Sequence, residues 1–283
     1  MNPDSPEISP AEILRWRQGV EPRREADSLA REEPLEIRVR GQSIAVTMRS
    51  PGHDAELAAG FLLTEGLITR RVDIVEIAHC QQGEAAHLGN TLNVFLAPSV
   101  SVDFAQLTRH VFASSSCGLC GKATIESVHQ QFPPVTSVLR VEPGTLLTLP
   151  AKLAAMQKSF AQTGGLHAAA LFTAAGELLV LREDVGRHNA VDKVLGWAFF
   201  NGPFPPAEHI LLVSGRASFE ILQKALAARV PVVVAVSAPS SLAVEFARRS
   251  GQTLVGFLRG GGMNIYSGEA RLVPEVLPAA KKP

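Results

Sequence analysis

The chain has 283 residues, 46% of them hydrophobic and 19% charged, with 27 basic side chains balanced by 27 acidic ones. This is ordinary globular composition, enough for one large domain or two modest ones, and a formal charge of zero offers no bulk attraction to nucleic acid or to an acidic membrane. No apolar run reaches the ~18 residues of a membrane span, the N-terminal segment lacks the apolar core of a secretory signal, and three unevenly spaced cysteines make no disulfide framework.

A cytoplasmic chain is therefore expected. In chain order, residues 1–33 are charged and punctuated by Pro3, Pro6, Pro10 and Pro22, which reads as a mobile tail with one short helix near 11–18. Residues 35–40 and 43–48 alternate apolar and polar side chains around Gly41, the pattern of a hairpin. Asp54 is placed to cap a helix over 55–67, whose apolar face is Leu57, Gly60, Phe61 and Leu63. Strands follow at 73–79 and 91–96, and the loop between them carries Cys80 and His87. Beyond a cysteine-bearing segment, Pro133, Pro134, Pro143 and Pro150 mark an irregular connection. Two portions are expected to meet there, 34–132 and 133–283.

In the second portion, 152–163 reads as a helix stopped by Gly164 and Gly165, and 167–173 and 177–182 as paired strands. A helix after residue 189, with Asn189 or Asp184 as its cap, would bury Val191, Val194, Leu195 and Ala198. From there strands at 209–213, 231–236 and 253–258 alternate with helices at 217–228 and 240–250. That rhythm implies a parallel sheet covered by helices.

Three constellations carry chemistry. Cys117 and Cys120 lie in FASSSCGLCGKA, residues 112–123, with Gly118 and Gly121 following them and Lys122 adjacent. Ile125, Val128 and Phe132 fall at helical spacing just beyond, so the thiols sit near helix N-terminal amides, where the dipole and the lysine favour thiolate. Half of a zinc site, a dithiol redox couple and a persulfide carrier are all open to such a pair. A structural zinc site normally needs a second pair of ligands, and no second CxxC is present. Deaminase chemistry needs a glutamate two residues after a histidine. The position holds Ala169 after His167 and Ala55 after His53, which removes the general acid/base and leaves only a related fold.

The second constellation is Phe257-Leu258-Arg259-Gly260-Gly261-Gly262. After a parallel strand, such a loop brings backbone amides and a guanidinium to a phosphate; a tight turn with an exposed arginine is the plainer alternative. The third is Glu183-Asp184-Val185-Gly186-Arg187-His188-Asn189, at a strand-to-helix junction, where capping explains about half of the polar residues. With Ser214-Gly215-Arg216, with Ser237, Ser240 and Ser241, and with His167 after Gly164-Gly165, it outlines one polar crevice along the sheet edge, where open α/β folds bind ligands.

Taken together, SCGLCGKA, FAQTGGLHAAALF, REDVGRHNAVDKVLG, VSGRASFEILQKA, VPVVVAVSAPSSLAVEFA and GFLRGGGMNIYS resemble the FdhD/NarQ family of formate dehydrogenase accessory sulfurtransferases, over roughly residues 35–270. The resemblance implies a cytidine-deaminase-like α/β sheet with covering helices, a smaller N-terminal mixed α/β portion, and a homodimer. It also implies sulfur transfer from a cysteine desulfurase to the molybdenum cofactor of formate dehydrogenase. Cys117 would carry the persulfide and Cys120 would assist. The loop Phe257, Leu258, Arg259, Gly260, Gly261 and Gly262 would hold the guanine-nucleotide part of the bis(molybdopterin guanine dinucleotide) cofactor, which is bound as substrate. A non-catalytic cofactor chaperone and a dithiol oxidoreductase are the competing functions.

Overall fold

The computed structural model describes residues 6–81, 89–104, 128, 129 and 131–273. It opens on an antiparallel ribbon, β1 (Ile8–Arg17) and β2 (Val20–Ala30), with Ile8 opposite Ala30. This corrects the expected tail and the helix near 11–18. The charges that read as a solvated run are matched across the ribbon instead: Arg24 donates to Glu12 at 2.7 Å, and Arg15 is paired with Glu25. Both pairs lie on the diagonal of the ribbon, two positions from the residue directly opposite, a relation invisible in linear composition.

The hairpin at Gly41 forms as expected, from β3 (Glu33–Val39) and β4 (Gln42–Arg49). With α1 (Asp54–Thr64) interposed, β5 (Ile74–His79) and β6 (Thr91–Leu96) complete a four-stranded sheet of order β4-β3-β6-β5, in which β3 and β6 are parallel. Asp54 does not cap α1. His53 holds the cap position in a left-handed conformation, φ 58°, and the Asp54 carboxylate instead accepts two hydrogen bonds from Arg49, each 3.0 Å. A bidentate guanidinium outcompetes a single backbone amide.

The proline-marked connection turns helical earlier than its prolines imply: α2 (Pro143–Met156) starts with Pro143 and contains Pro150, and α3 (Lys158–Thr163) follows a break at Gln157. A proline at the first helical position has no amide to waste. β7 (His167–Thr173) and β8 (Leu178–Asp184) pair antiparallel. α4 (Arg187–Phe200), β9 (His209–Val213), α5 (Phe219–Ala227), β10 (Val232–Ala235), α6 (Ser241–Arg249), β11 (Thr253–Arg259) and β12 (Gly262–Ser267) then build a six-stranded sheet of order β12-β11-β10-β9-β7-β8. The strands β9, β10 and β11 are parallel, as the alternation requires, and β12, unforeseen among its glycine and polar residues, returns antiparallel to β11.

The chain is thus mixed α/β. Val232 and Val234 face one hydrophobic cluster with Leu146, Leu149 and Leu153 of α2; Val233 and Ala235 face another with α4, α5 and α6. Burial on both faces is why these strands are continuous apolar runs. The second cluster extends to Leu35, Ile37, Leu92 and Val94 of the four-stranded sheet. α1 and α4 therefore lie between the two sheets, with hydrophobic contact running across the boundary expected at 132/133. No described helix is long and apolar enough to cross a membrane.

Candidate functional site

The carboxyl ends of β9, β10 and β11 open on a row of loops stitched to one another. Ala217 donates to the carbonyl of Ala238 at 3.2 Å, Ser240 to that of Ala217 at 3.0 Å, and Phe257 to that of Ser237 at 3.1 Å. The antiparallel β7 starts at the same edge. There the Ser214 hydroxyl accepts the amide of Ala168 at 2.9 Å, and the Ser214 amide donates to the carbonyl of Ala168 at 2.9 Å. His167 is thereby fixed beside Gly215, where an added Cβ would stand 3.3 Å from its Nδ1 and 4.0 Å from Cδ of Arg187. Glycine lets the imidazole and that guanidinium approach one backbone. Burial, then the positive charges of Arg187 and His188, hold the His167 pKa below the ordinary histidine value. The polar loops that the sequence places along one sheet edge are thus neighbours at the ends of β7, β9, β10 and β11.

The junction after β8 resolves residue by residue. Glu183 accepts the amides of Ser159 and Phe160 at 3.0 and 2.8 Å, closing the N-terminus of α3, and burial raises its pKa. Asp184 and Lys193 are both fully buried and pair at 2.7 Å. Asp184 also accepts from the amides of Ser50 and Gly186 and from Asn189 Nδ2, while Lys193 donates to the Ser50 carbonyl at 2.8 Å. Asn189 reaches Met48 as well, at 2.8 Å. One helical turn on, burial raises the Asp192 pKa against the opposing pull of Lys224, 2.8 Å away, and Thr64 donates to the same carboxylate at 3.1 Å. Arg182 forms a bidentate pair with Glu56, at 2.6 and 2.8 Å.

Most of this segment therefore clamps α4 and β8 to the β4–α1 region, and capping by Asp184 or Asn189, expected from sequence, is replaced by that clamp. Only Arg187 and His188 are left to the crevice. His188 Nε2 lies 2.8 Å from Glu220 and 3.3 Å from the Ser218 hydroxyl, and the Glu220 pKa is lowered, chiefly by its hydrogen bond with His188. The buried Lys193 and Asp192 were missed by sequence reasoning, and the available signal was two charged side chains inside the apolar face of α4.

Phe257, Leu258 and Arg259 end β11, Gly260 and Gly261 make the turn, and Gly262 starts β12. Arg259 pairs with Gly262, and Gly260 and Gly261 both take positive φ, 60° and 77°, as a two-residue hairpin turn of the primed type demands. Both glycines face open space. Phe257 also takes positive φ, 52°, at a register shift, and the Arg259 guanidinium lies over its ring, 5.4 Å from the centroid. The turn reading and the ligand reading thus share one geometry: an exposed hairpin tip with a stacked guanidinium at the edge of the crevice. Leu258 is buried beneath it.

Cys117 and Cys120 lie outside the described residues. Cys80, partly buried, stands next to His79 at the end of β5. Among the described residues no group of three or more His, Cys, Asp or Glu side chains is arranged to hold a metal ion.

Residues 30–273 match the model of the FdhD/NarQ family. A protein of Streptomyces avermitilis named sulfur carrier protein FdhD is 50% identical over 269 residues, 92% of this chain and 94% of that protein. One of the same name from Mycobacterium tuberculosis is 52% identical over 253 residues, 87% of this chain and 92% of that protein. A solved structure described as a formate dehydrogenase accessory protein from Desulfotalea psychrophila superposes with a TM-score of 0.75 at 25% identity. That match covers 95% of this chain and 100% of that one.

Proposed function

This chain belongs to the FdhD/NarQ family, and we propose that it is a sulfurtransferase, carrying sulfur from a cysteine desulfurase to the molybdenum cofactor of formate dehydrogenase. The supporting observation is the pair Cys117 and Cys120, set in a serine- and glycine-rich stretch of a chain half identical to sulfur carriers along nearly its whole length. The Cys117 thiolate attacks the terminal sulfur of the desulfurase persulfide. A Cys117–S–SH bond pair forms, and the desulfurase cysteine leaves as thiolate. The thiolate is the competent nucleophile in such exchange, and Lys122 beside the motif favours it. Cys120 then either takes the sulfur onward or attacks Cys117 Sγ, releasing hydrosulfide as the two cysteines close a disulfide.

The bis(molybdopterin guanine dinucleotide) cofactor enters as substrate, its guanine-nucleotide end at Phe257–Gly262, with cytidine-deaminase-like layering behind it and the protein acting as a cytoplasmic homodimer. An open glycine turn permits close approach of a phosphate, and the Arg259 guanidinium, already ordered over Phe257, loses little freedom on binding. Intact-mass measurement after incubation with a desulfurase and cysteine tests the carrier role. A gain of one sulfur atom mapped to the motif is expected, lost in Cys117→Ala. Loading retained in that variant overturns the assignment. Arg259→Ala should load normally yet bind GDP about tenfold or more weakly; unchanged GDP affinity removes the turn from the site.

A further inference from the structure

Positive charge accumulates at the β7–β9 end of this edge, where Arg187 feels the Glu220 carboxylate only at a distance. Among the described residues Arg187 and Arg216 have neither an ion pair nor a hydrogen bond, and the Nε of Arg187 is buried without any partner. The nearby carboxylates are committed elsewhere: Asp184 to Lys193, Ser50, Gly186 and Asn189, and Glu220 to His188. Other arginines of the fold show what this sequence does when a guanidinium is structural. Arg49 and Arg182 have bidentate carboxylates, and Arg271 has the carbonyls of Ser137 and Gly251. A guanidinium atom buried without a partner costs free energy that a bound oxyanion returns. Gly215 keeps the floor between His167 and Arg187 clear, and the N-terminus of the 14-residue α4 starts at Arg187 itself, adding its dipole to the same spot.

We propose that Arg187, Arg216 and His167 form an oxyanion subsite for a phosphoryl group of the ligand, distinct from the Gly260–Gly261 turn. The inference rests on the proposed seating of the cofactor's nucleotide end at the Phe257–Gly262 turn of the same sheet edge, and deepens it. Arg216 follows β9, His167 starts β7 and Arg187 follows β8, so across the order β11-β10-β9-β7-β8 the two subsites stand roughly 10–20 Å apart at sheet spacing. The ligand they suit is an extended one bearing separated anionic groups.

Inorganic pyrophosphate, which carries no base and can enter either subsite, is titrated calorimetrically into the full chain, and the single variants divide its binding between the two. Wild type should bind it with an affinity that falls as salt rises. Arg187→Ala and Arg216→Ala should each weaken binding about tenfold or more, Arg187→Lys should restore part of it, and Arg259→Ala should weaken it less than either. Arg216 is exposed, so its variant folds even if Arg187→Ala does not. Absence of pyrophosphate binding to wild type overturns the proposal, as does equal binding by Arg216→Ala. Loss in Arg259→Ala with none in the other two would make the turn the phosphate site and overturn it likewise. The GDP titration of Arg259→Ala reports on the earlier reading separately.

Discussion

Substituting alanine for Gly60 or Gly196 should destabilise the fold by about 2–4 kcal/mol, although both glycines lie inside helices. In an isolated helix the same change gains about 1 kcal/mol, so the sign depends on what the new methyl meets. A Cβ on Gly60 would stand 1.9 Å from the carbonyl oxygen of Asp192, and one on Gly196 1.8 Å from that of Glu56. The two glycines are reciprocal, each admitting the other helix's backbone. Bringing either contact out even to 3.0 Å requires α1 and α4 to part by about 1.2 Å. Both obstacles are backbone, so no rotamer change relieves them. Parting the helices also stretches the Thr64–Asp192 hydrogen bond of 3.1 Å and strains the Arg182–Glu56 pair, and it thins dispersion contacts along the whole crossing. These losses exceed the propensity gain. Urea unfolding followed by tryptophan fluorescence measures the outcome. Gly144→Ala, in the first turn of α2 with nothing within 4 Å of its Cβ position, is the control and should gain up to about 1 kcal/mol. If Gly60→Ala proves as stable as wild type, the helix crossing described here is wrong.

Lys193→Met should cost about 3–5 kcal/mol, because it strands the fully buried Asp184 carboxylate; the double variant Asp184→Asn, Lys193→Met should recover part of that loss, and equal stability of both variants with wild type would refute a buried ion pair. His167 should titrate below the ordinary histidine value of about 6.5 in NMR, because burial and then Arg187 disfavour its charge, and Arg187→Ala should raise it. Since the folded chain then binds fewer protons here than the unfolded one, this group's contribution to stability is present above that value and shrinks as pH falls through it. An imidazole titrating at or above the ordinary value would contradict the crevice geometry.

How much was legible in advance depends on whether a residue's partner is local. The β3–β4 hairpin is read from alternation about Gly41, and β9, β10 and β11 from short apolar runs between helices, because in both cases the information lies within a few residues. Asp54 misleads for the opposite reason. Its position before an apolar stretch is that of a cap, but Arg49 on the preceding strand reaches it first. Within Glu183 to Lys193 the polar residues are alike on paper, yet the partners that sort them, Met48, Ser50 and Thr64, lie more than a hundred positions away. Nor does the string Arg259-Gly260-Gly261-Gly262 disclose whether it is a loop or a hairpin turn until β12 is seen to pair back on β11.

By itself, the amino-acid sequence determined the family, through motifs spread along the chain, and with them the alternating α/β order and the cysteine pair. Those depend on residue identity and spacing, which the linear chain carries in full. Only the tertiary structure decided which charges are spent on holding the two sheets to the shared helices and which are left over. A charge is neutralised by whatever lies within a few ångströms of it, and that neighbour is chosen by folding. Arg182 and Lys193 find carboxylates; among the described residues Arg187 and Arg216 find none.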